Sequence, residues 1–412
     1  MILGTKSTRS KKLIKKFREK MYVTRPLSMY LRDPSMVTLP PPEGPNSGIL
    51  VIQDKEAEPR VFFGLFKGHE LHDLPFPQNK NLKLRYSTGV GENQHVSHFY
   101  TAFIPVLNQP LASNRYYAIQ SRGRCEGQAY TCSTEEDLGT CCFCTFVKDV
   151  PSQPFNPNNI YQQFEIQQTG RFNRGFVAKA IASDGYPPKF LGRKGWEIYT
   201  STPRDFDLGE APGLDTALRA RLPDFGFPLS STSSNPVVVG KWYCPFMFIK
   251  EGTPKDQMSR TRYYEMTLEQ RWEQIFACDS NNSEGKAVVV DVSVQSEYVA
   301  VAGNVEAVHE ERDVVNGVMW YKGFNNVGGE SGVGLSLAIV ERMKWEQQRF
   351  GWFVGNERQV RVNKVEEFGG MGGWRKFSCY VLVERFVLKR MDGSVVLTHG
   401  FRHTHHIRSK WE

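Results

Sequence analysis

The chain has 412 residues, which predicts about two domains and is long enough to bury cores without disulfides or metals. Its formal net charge of +8 is concentrated at one end, because residues 1–20 carry eight of the 52 Lys and Arg residues and one of the 44 acidic residues. The remainder is nearly neutral, so net charge predicts no nucleic-acid binding by the folded part.

The basic residues 1–20 predict a disordered extension. The alternatives are a nuclear-import patch, an organelle presequence or a contact with anionic membrane. No secretory apolar segment is visible, and no run approaches the roughly 18 apolar residues of a membrane span. We therefore expect an intracellular protein, cytoplasmic or nuclear, without a transmembrane segment.

Residues 21–47 are rich in Pro, Ser and Met, and the run Pro40-Pro41-Pro42 cannot lie inside a helix or a central strand. We expect an extended arm that wraps the first lobe, with ordered structure beginning at residues 48–52. Turn residues separate further strand-like runs. These runs are residues 60–66, 83–86, 98–107, 115–120, 143–148, 160–167 and 176–181. Residues 213–222 predict a helix, since Leu recurs every four positions.

Residues 223–235 read PDFGFPLSSTSSN, a composition that predicts a linker without a packed face. The predicted organisation has four parts. It consists of a basic extension (1–20), an N-terminal α+β lobe with a Pro-rich leading arm (21–222), the linker (223–235) and a C-terminal lobe (236–412).

The second lobe begins with a predicted buried strand at residues 237–248. Thr267 and Gln270 form a capping-box pattern, and Leu268, Trp272 and Phe276 follow at helical spacing, which predicts an amphipathic helix over 267–276. Strands are predicted at 287–294, 298–302 and, from its period of two, 335–345. Residues 380–389 and 394–401 flank a predicted Asp-Gly hairpin turn. The fold class is α+β and β-dominated, with the C-terminal lobe an antiparallel β-sandwich with one covering helix.

Several long motifs resemble a plant family known as domain of unknown function 1262. They are MYVTRPLSMY at 21–30, LPFPQNKNL at 74–82, CCFC at 141–144, YQQFEI at 161–166 and the tail at 401–412. The resemblance implies a plant source and a soluble protein, and it transfers no catalytic residue. Family proteins often begin where Met21 stands, which implies that residues 1–20 are an extension or follow a mis-assigned start.

The C-terminal histidines are the candidate metal ligands. On a strand, His399, His403 and His405 share one face, and imidazoles about 6.5–7 Å apart can share a metal ion. His406 points to the other face. The alternative is an end strand whose imidazoles bond to backbone or water, because no carboxylate has the spacing of a third ligand.

The cysteines and glycines predict no cofactor site. Cys125, Cys132, Cys141, Cys142 and Cys144 lack the paired spacing of a zinc finger, so we expect free, packed thiols. The Gly-rich stretches lack the Lys-Ser/Thr of a phosphate-binding loop. No cofactor is therefore predicted.

Two functional hypotheses follow. The first is a non-enzymatic binding or scaffold protein, linked to stress or defence responses, whose partner is an unknown protein or small molecule. The second is an enzyme of unrecognised type with its active site in the cleft between the lobes. The first is favoured because every catalytic template tested fails.

Overall fold

The computed structural model describes residues 21–41, 44, 47–61, 66–89, 94–141, 144–170, 175–192, 195–280, 286–303, 305–308, 314–324, 330–353 and 359–412. The predicted extension at residues 1–20 lies outside these residues. Strands make up 49% of the structure and helices 15%, so the predicted β-dominated fold class is confirmed. Within the described residues, no helix has both the length and the apolar character to cross a membrane.

The first half of the chain contains 14 described strands. In chain order they are β1 (Met21–Pro26), β2 (Ser47–Ile52), β3 (Arg60–Val61), β4 (Phe66–Lys67), β5 (Glu70–Leu71), β6 (Asn81–Thr88), β7 (His95–Pro105), β8 (Arg115–Gln120), β9 (Leu138–Cys141), β10 (Cys144–Val147), β11 (Gln163–Gln168), β12 (Phe176–Ala180), β13 (Glu197–Ser201) and β14 (Gly213–Leu214).

Longer strands dominate the second half. They are β15 (Val237–Pro245), β16 (Ile249–Lys250), β17 (Tyr263–Asp279), β18 (Ala287–Gln295), β19 (Glu297–Val301), β20 (Val305–Val308), β21 (Val314–Val315), β22 (Val318–Phe324), β23 (Glu330–Ser336), β24 (Gln359–Glu367), β25 (Lys376–Arg390) and β26 (Val395–Trp411). The described α-helices are α1 (Leu27–Arg32), α2 (Lys189–Gly192), α3 (Thr216–Arg221), α4 (Pro254–Arg260) and α5 (Leu337–Arg349).

Two large sheets organise the described part of the molecule. The smaller has seven antiparallel strands in the order β12-β11-β8-β7-β6-β13-β5. The larger has the order β16-β23-β22-β20-β19-β26-β25-β17-β15-β1-β2, with β14 and β21 pairing at its sides. Its β1–β2 pair is parallel, whereas β1 is antiparallel to β15.

The leading arm differs from its prediction. Ordered structure begins at β1 rather than at residue 48, and β1 pairs with β15 of the second half of the chain instead of wrapping the first lobe. Met21, Tyr22 and Val23 are at most 1% exposed. Pairing with β15 therefore places the N-terminal segment in the larger sheet, where its apolar residues are part of the core.

The predicted helix at 267–276 is wrong, because these residues lie inside strand β17. Leu268 and Trp272 are four residues apart, and that separation places two side chains on one face of a strand as well as of a helix. A β-bulge between Gln274 and Phe276 then shifts the register, so the apolar spacing no longer reveals a period of two.

The predicted strand at 335–345 is also wrong beyond its first two residues. Strand β23 ends at Ser336 and helix α5 follows. Ile339, Met343 and Glu346 are fully buried, which is the spacing of a helix face. The covering helix of the second half is thus α5 and not residues 267–276.

The segment at 223–235 is packed, in contrast to its prediction. Phe225 and Phe227 contact Trp272 and Tyr380 in one aromatic cluster. The Ser234 N–H donates to the Trp272 carbonyl, and the Trp272 backbone N–H donates to the Ser234 hydroxyl. Whether the boundary between two domains falls within this segment stays a prediction.

Candidate functional site

A cleft of about 870 Å³ lies between a loop of the first half of the chain and elements of the second half. We call it the interlobe cleft, a name that refers only to its place between residues of the two halves of the chain. One wall is the loop at residues 153–159 together with Gln162, and the opposite wall is formed around β16, the β21–β22 turn and the start of α5. The opposite wall comprises Met247, Phe248, Lys250, Asn316, Gly317, Val318, Ser336, Leu337, Ala338 and Glu341.

The loop wall is held in place by one aromatic ring and one buried amide. Phe155 packs edge-on against Tyr117 of β8, at 5.0 Å between centroids, and against Phe248, at 5.3 Å. The buried Gln162 side chain accepts from the Asn156 N–H at 2.8 Å and donates to the Pro154 carbonyl at 3.1 Å. These contacts fix the loop before any ligand arrives.

The opposite wall is fixed by a tight turn. Asn316 and Gly317 both have positive φ, 51° and 75°, which is the backbone of a two-residue hairpin turn between β21 and β22. The Gly317 carbonyl accepts from the Leu337 N–H at 2.9 Å. This bond anchors the first residue of α5 beside the cleft. The Asn-Gly pair is a strong hairpin signal, from which this turn could have been predicted.

The lining of the cleft is rich in carboxamides. Gln153, Asn156 and Asn158 are exposed side chains of the loop wall, and Asn159 is half-buried beside them. A carboxamide offers both donors and an acceptor, so these groups suit a polar ligand. Apolar surface from Phe155 and Phe248 supplies the remainder of the contact area.

Two ionisable side chains line the same cleft, one on each of two elements. Burial lowers the pKa of the Lys250 amine on β16 and raises the pKa of the Glu341 carboxyl on α5. Within the described residues, neither has an ion-pair partner within 4.0 Å. The two shifts share one cause, since burial penalises the charged form of each group.

The candidate metal ligands lie apart from this cleft, on β26. His399 is fully buried, with Nε2 2.6 Å from Glu297 Oε1 and its ring stacked on Phe401. His403 is fully buried, with Nε2 2.8 Å from Gln347 Oε1. His405 is exposed.

The predicted common face is broken before His405. Leu382 pairs with His403, but the preceding Val381 pairs with Ile407, so residues 404–406 bulge out of the strand. The His405 ring centroid is 5.4 Å from that of His403 and 4.3 Å from that of His406. Among the described residues, no group of three or more His, Cys, Asp or Glu side chains is placed to hold a metal ion. Metal binding by His399, His403 and His405 stays a prediction.

A buried polar cluster went unpredicted. Arg219 on α3 donates from Nε to Glu384 at 2.8 Å and from Nη1 to Glu346 at 2.7 Å. Gln270 of β17 donates to the same Glu384 oxygen at 2.8 Å. Glu346, Gln270 and Glu384 are fully buried. The available signal was a carboxylate inside the apolar run of β25, which requires a buried partner.

The thiols with described side chains are free. Cys132, Cys244 and Cys379 are buried, and Cys125 and Cys278 are half-buried. Burial raises the pKa of Cys132 to about 12, which disfavours the reactive thiolate. The side chains of Cys141, Cys142 and Cys144 lie outside the described residues.

Comparisons with known proteins add a family over part of the chain. Residues 43–143 match the family model described as "Protein of unknown function (DUF1262)". The predicted resemblance to this family is confirmed over that segment, which includes β6, β7 and β8 of the smaller sheet. A comparison with curated protein sequences finds no match.

Among solved structures, the chain is similar to one titled "Crystal structure of Cry35Ab1". The TM-score is 0.44 and the sequence identity 11%, over 82% of this chain and 90% of that chain. Every residue that lines the interlobe cleft lies beyond the DUF1262 match, which ends at residue 143.

Proposed function

We propose that this protein binds a small polar molecule in the interlobe cleft and does not transform it. The observation that supports this proposal is the cleft itself, whose two walls are fixed by Phe155, Gln162 and the Asn316–Gly317 turn. Its volume of about 870 Å³ lies within the range of ordinary ligand pockets, roughly 300–1,000 Å³.

The chemistry of the walls supports binding over reaction. Carboxamides and aromatic rings provide hydrogen bonds and contact area, but they do not transfer protons at neutral pH. The described thiols with resolved pKa shifts are shifted upward by burial, which removes them as nucleophiles. The chain therefore offers recognition groups in the cleft and keeps these thiols unreactive.

A second candidate is an enzyme that uses the same cleft. Lys250 and Glu341 favour it, because two ionisable groups with pKa values shifted by burial line one cavity. In that case Lys250 would act as base or nucleophile and Glu341 as acid, because each shift makes the neutral form of the group that this role requires more accessible.

The proposed setting keeps the expectations drawn from the sequence. The resemblance implies a plant source, and we further propose an intracellular protein, cytoplasmic or nuclear, that acts in stress or defence responses. A scaffold role with a protein partner is the alternative within the same class of non-enzymatic function.

Ligand-observed NMR on the full chain tests the proposal, with a panel of sugars, sugar acids, amino acids and their derivatives. Gln153→Trp places an indole at the mouth of the cleft from an exposed position, so we expect it to abolish saturation transfer to any ligand that the wild type binds. Gln348→Trp is the matched control, since Gln348 is exposed on α5 outside the cleft lining.

The spectra also separate the two candidates. A bound ligand that stays unchanged over hours supports binding, whereas new product resonances that Gln153→Trp abolishes support the enzyme. Binding that persists in Gln153→Trp would place the site elsewhere and overturn the proposal.

A further inference from the structure

The interlobe cleft contains an amine for which the described part of the chain supplies no counter-ion. Lys250 is half-buried on β16, which pairs with β23 at Gly334. A Cβ at Gly334 would lie 2.7 Å from Val318 and 3.0 Å from the Cβ of Lys250, so glycine is needed for the close approach of these strands. The position of Lys250 in the wall is thus set by the sheet and not by a free loop.

The cleft also contains a carboxyl that has no counter-ion among the residues that the structure describes. Glu341 is half-buried in the second turn of α5, whose first residue is tied to the β21–β22 turn. Lys250 and Glu341 line one cavity but do not form an ion pair with each other or with another described residue. The interlobe cleft is therefore lined by one basic and one acidic side chain that do not pair with each other.

A half-buried charge without a partner is costly, and a ligand of complementary charge removes that cost. A purely anionic ligand would satisfy Lys250 and meet repulsion from Glu341, and a purely cationic ligand would do the reverse. A zwitterion satisfies both groups at once. The carboxamides on the loop wall can then bond to its neutral polar groups.

Resting on the proposed binding function, we propose that the ligand of the interlobe cleft is a zwitterion, an α-amino acid or short peptide whose carboxylate meets Lys250 and whose ammonium meets Glu341. This assignment gives each unpaired charge of the cleft one partner. It also predicts that blocking either end of the ligand weakens binding through one named residue.

Isothermal titration calorimetry of the full chain tests the assignment with four probes. Glutamine and the dipeptide alanylglutamine are zwitterions, N-acetylglutamine lacks the ammonium, and glutaminamide lacks the carboxylate. We expect one of the two zwitterions to bind at least about tenfold more tightly than either blocked form, a difference of ~1.4 kcal/mol. The tighter zwitterion distinguishes a free amino acid from a peptide.

Two variants test which residue binds each end of the ligand. Lys250→Met should weaken zwitterion binding at least about tenfold and should not weaken binding of glutaminamide, because that cation loses only a repulsion. Glu341→Gln should weaken zwitterion binding similarly and should not weaken binding of N-acetylglutamine, because that anion also loses only a repulsion. Lys255→Met and Glu135→Gln, both at exposed positions outside the cleft, are matched controls that should change neither affinity.

The outcomes distinguish this inference from the proposed function. Sugars that bind and are lost in Gln153→Trp, with no binding of the amino-acid probes, overturn the zwitterion and leave the binding function standing. Equal affinity for zwitterions and blocked forms in the wild type also overturns it, even if a variant fails to fold. No ligand at all in the cleft overturns both.

Discussion

His403 is a neutral residue inside a charged neighbourhood. It is fully buried, and burial, together with the charges of His405, Arg219 and His406, lowers its pKa to about 2. Its Nε2 lies 3.8 Å from Glu384, a contact that would favour the charged imidazole. That carboxylate is already bound by Arg219, so burial prevails and the imidazole stays neutral.

The depressed pKa makes His403 a source of acid sensitivity. The unfolded chain binds a proton there near pH 6.5 and the folded chain only near pH 2, so between these values the unfolded state holds one more proton. Stability then falls as pH falls, by about 1.4 kcal/mol per pH unit from this residue alone. We expect His403→Gln to lose less stability between pH 6 and pH 4 than the wild type does.

Urea unfolding at several pH values measures this difference. At pH 7.5 the variant should be the less stable protein, because it loses the packing of the imidazole on Phe350. His405→Gln, at an exposed position two residues away, should keep nearly the wild-type slope. Parallel curves for wild type and His403→Gln would show that the imidazole is not neutral in the folded protein.

Arg219 shows why the buried polar contacts could not be predicted from the sequence. The predicted helix that contains it exists, as α3, but nothing in its position along that helix distinguishes it from an exposed basic residue. Only the fold brings Glu384 of β25 and Glu346 of α5 to it, from 165 and 127 residues away. The same holds for Lys250 and Glu341, whose shared cleft depends on strand β23, which pairs with β16 and is followed by α5.

At the element scale, short apolar runs predicted most strands, whereas neither alternation nor four-residue spacing was reliable by itself, because alternation at 335–345 marked helix α5 as a strand and four-residue spacing at 267–276 marked part of β17 as a helix. Strands β8, β12, β18 and β25 lie where their apolar runs placed them, and the turn at Asp392–Gly393 forms with Gly393 at φ 84°. Part of strand β17 was predicted as a helix because a spacing of four fits both structures. A bulge in β17 and burial on both faces of the strand removed the remaining distinction.

The segment at 223–235 is an element without regular structure that is held by side chains. Phe225 and Phe227 pack edge-on against Tyr380, and the Lys410 ammonium lies 3.6 Å from the Phe227 centroid and donates to the Phe227 carbonyl. The backbone N–H of Trp272 donates to the Ser234 hydroxyl at 2.9 Å. The composition of this segment predicts a flexible linker, but the packing of its two aromatic residues holds it in place.

Limited proteolysis with proteinase K measures how firmly this segment is held. The double variant Phe225→Ala/Phe227→Ala removes the aromatic pairs, each worth about 0.5–1.5 kcal/mol beyond burial, so we expect cleavage within 223–235 to accelerate roughly tenfold or more. Ser230→Ala, at an exposed position of the same segment, should leave the rate unchanged. Equal cleavage of wild type and double variant would restore the flexible linker.

At the scale of the whole molecule, one extended core joins described residues from both halves of the chain, while the smaller sheet also has a core of its own. That core contains Met21 and Val51 from the first two strands, Ile119 of the smaller sheet, and Leu268 and Phe401 of the larger sheet. The sequence indicated the β-dominated class and most strand positions, which depend on local patterns. It could not indicate that β1 pairs with β15, since that pairing joins residues more than 200 positions apart.

The last prediction concerns the first two strands. Met21, Tyr22, Val23, Leu50 and Val51 are at most 1% exposed, and the Tyr22 hydroxyl donates to the Pro105 carbonyl at 2.8 Å. Burial of each such side chain contributes about 1.5–3 kcal/mol, so their sum is comparable to the total stability of a typical domain, about 5–15 kcal/mol. Deletion of residues 1–52 should therefore abolish cooperative unfolding, because it also leaves β15 without its partner strand beside Tyr243.

Deletion of residues 1–20 is the matched control and should leave the core intact, since β1 begins at Met21. Differential scanning calorimetry of the two truncated proteins against the full chain measures the outcome. We expect the shorter deletion to unfold at the Tm of the full chain and the longer one to show no transition. A cooperative transition in the protein that begins at residue 53 would mean that the smaller sheet and the remaining strands form a core without β1 and β2.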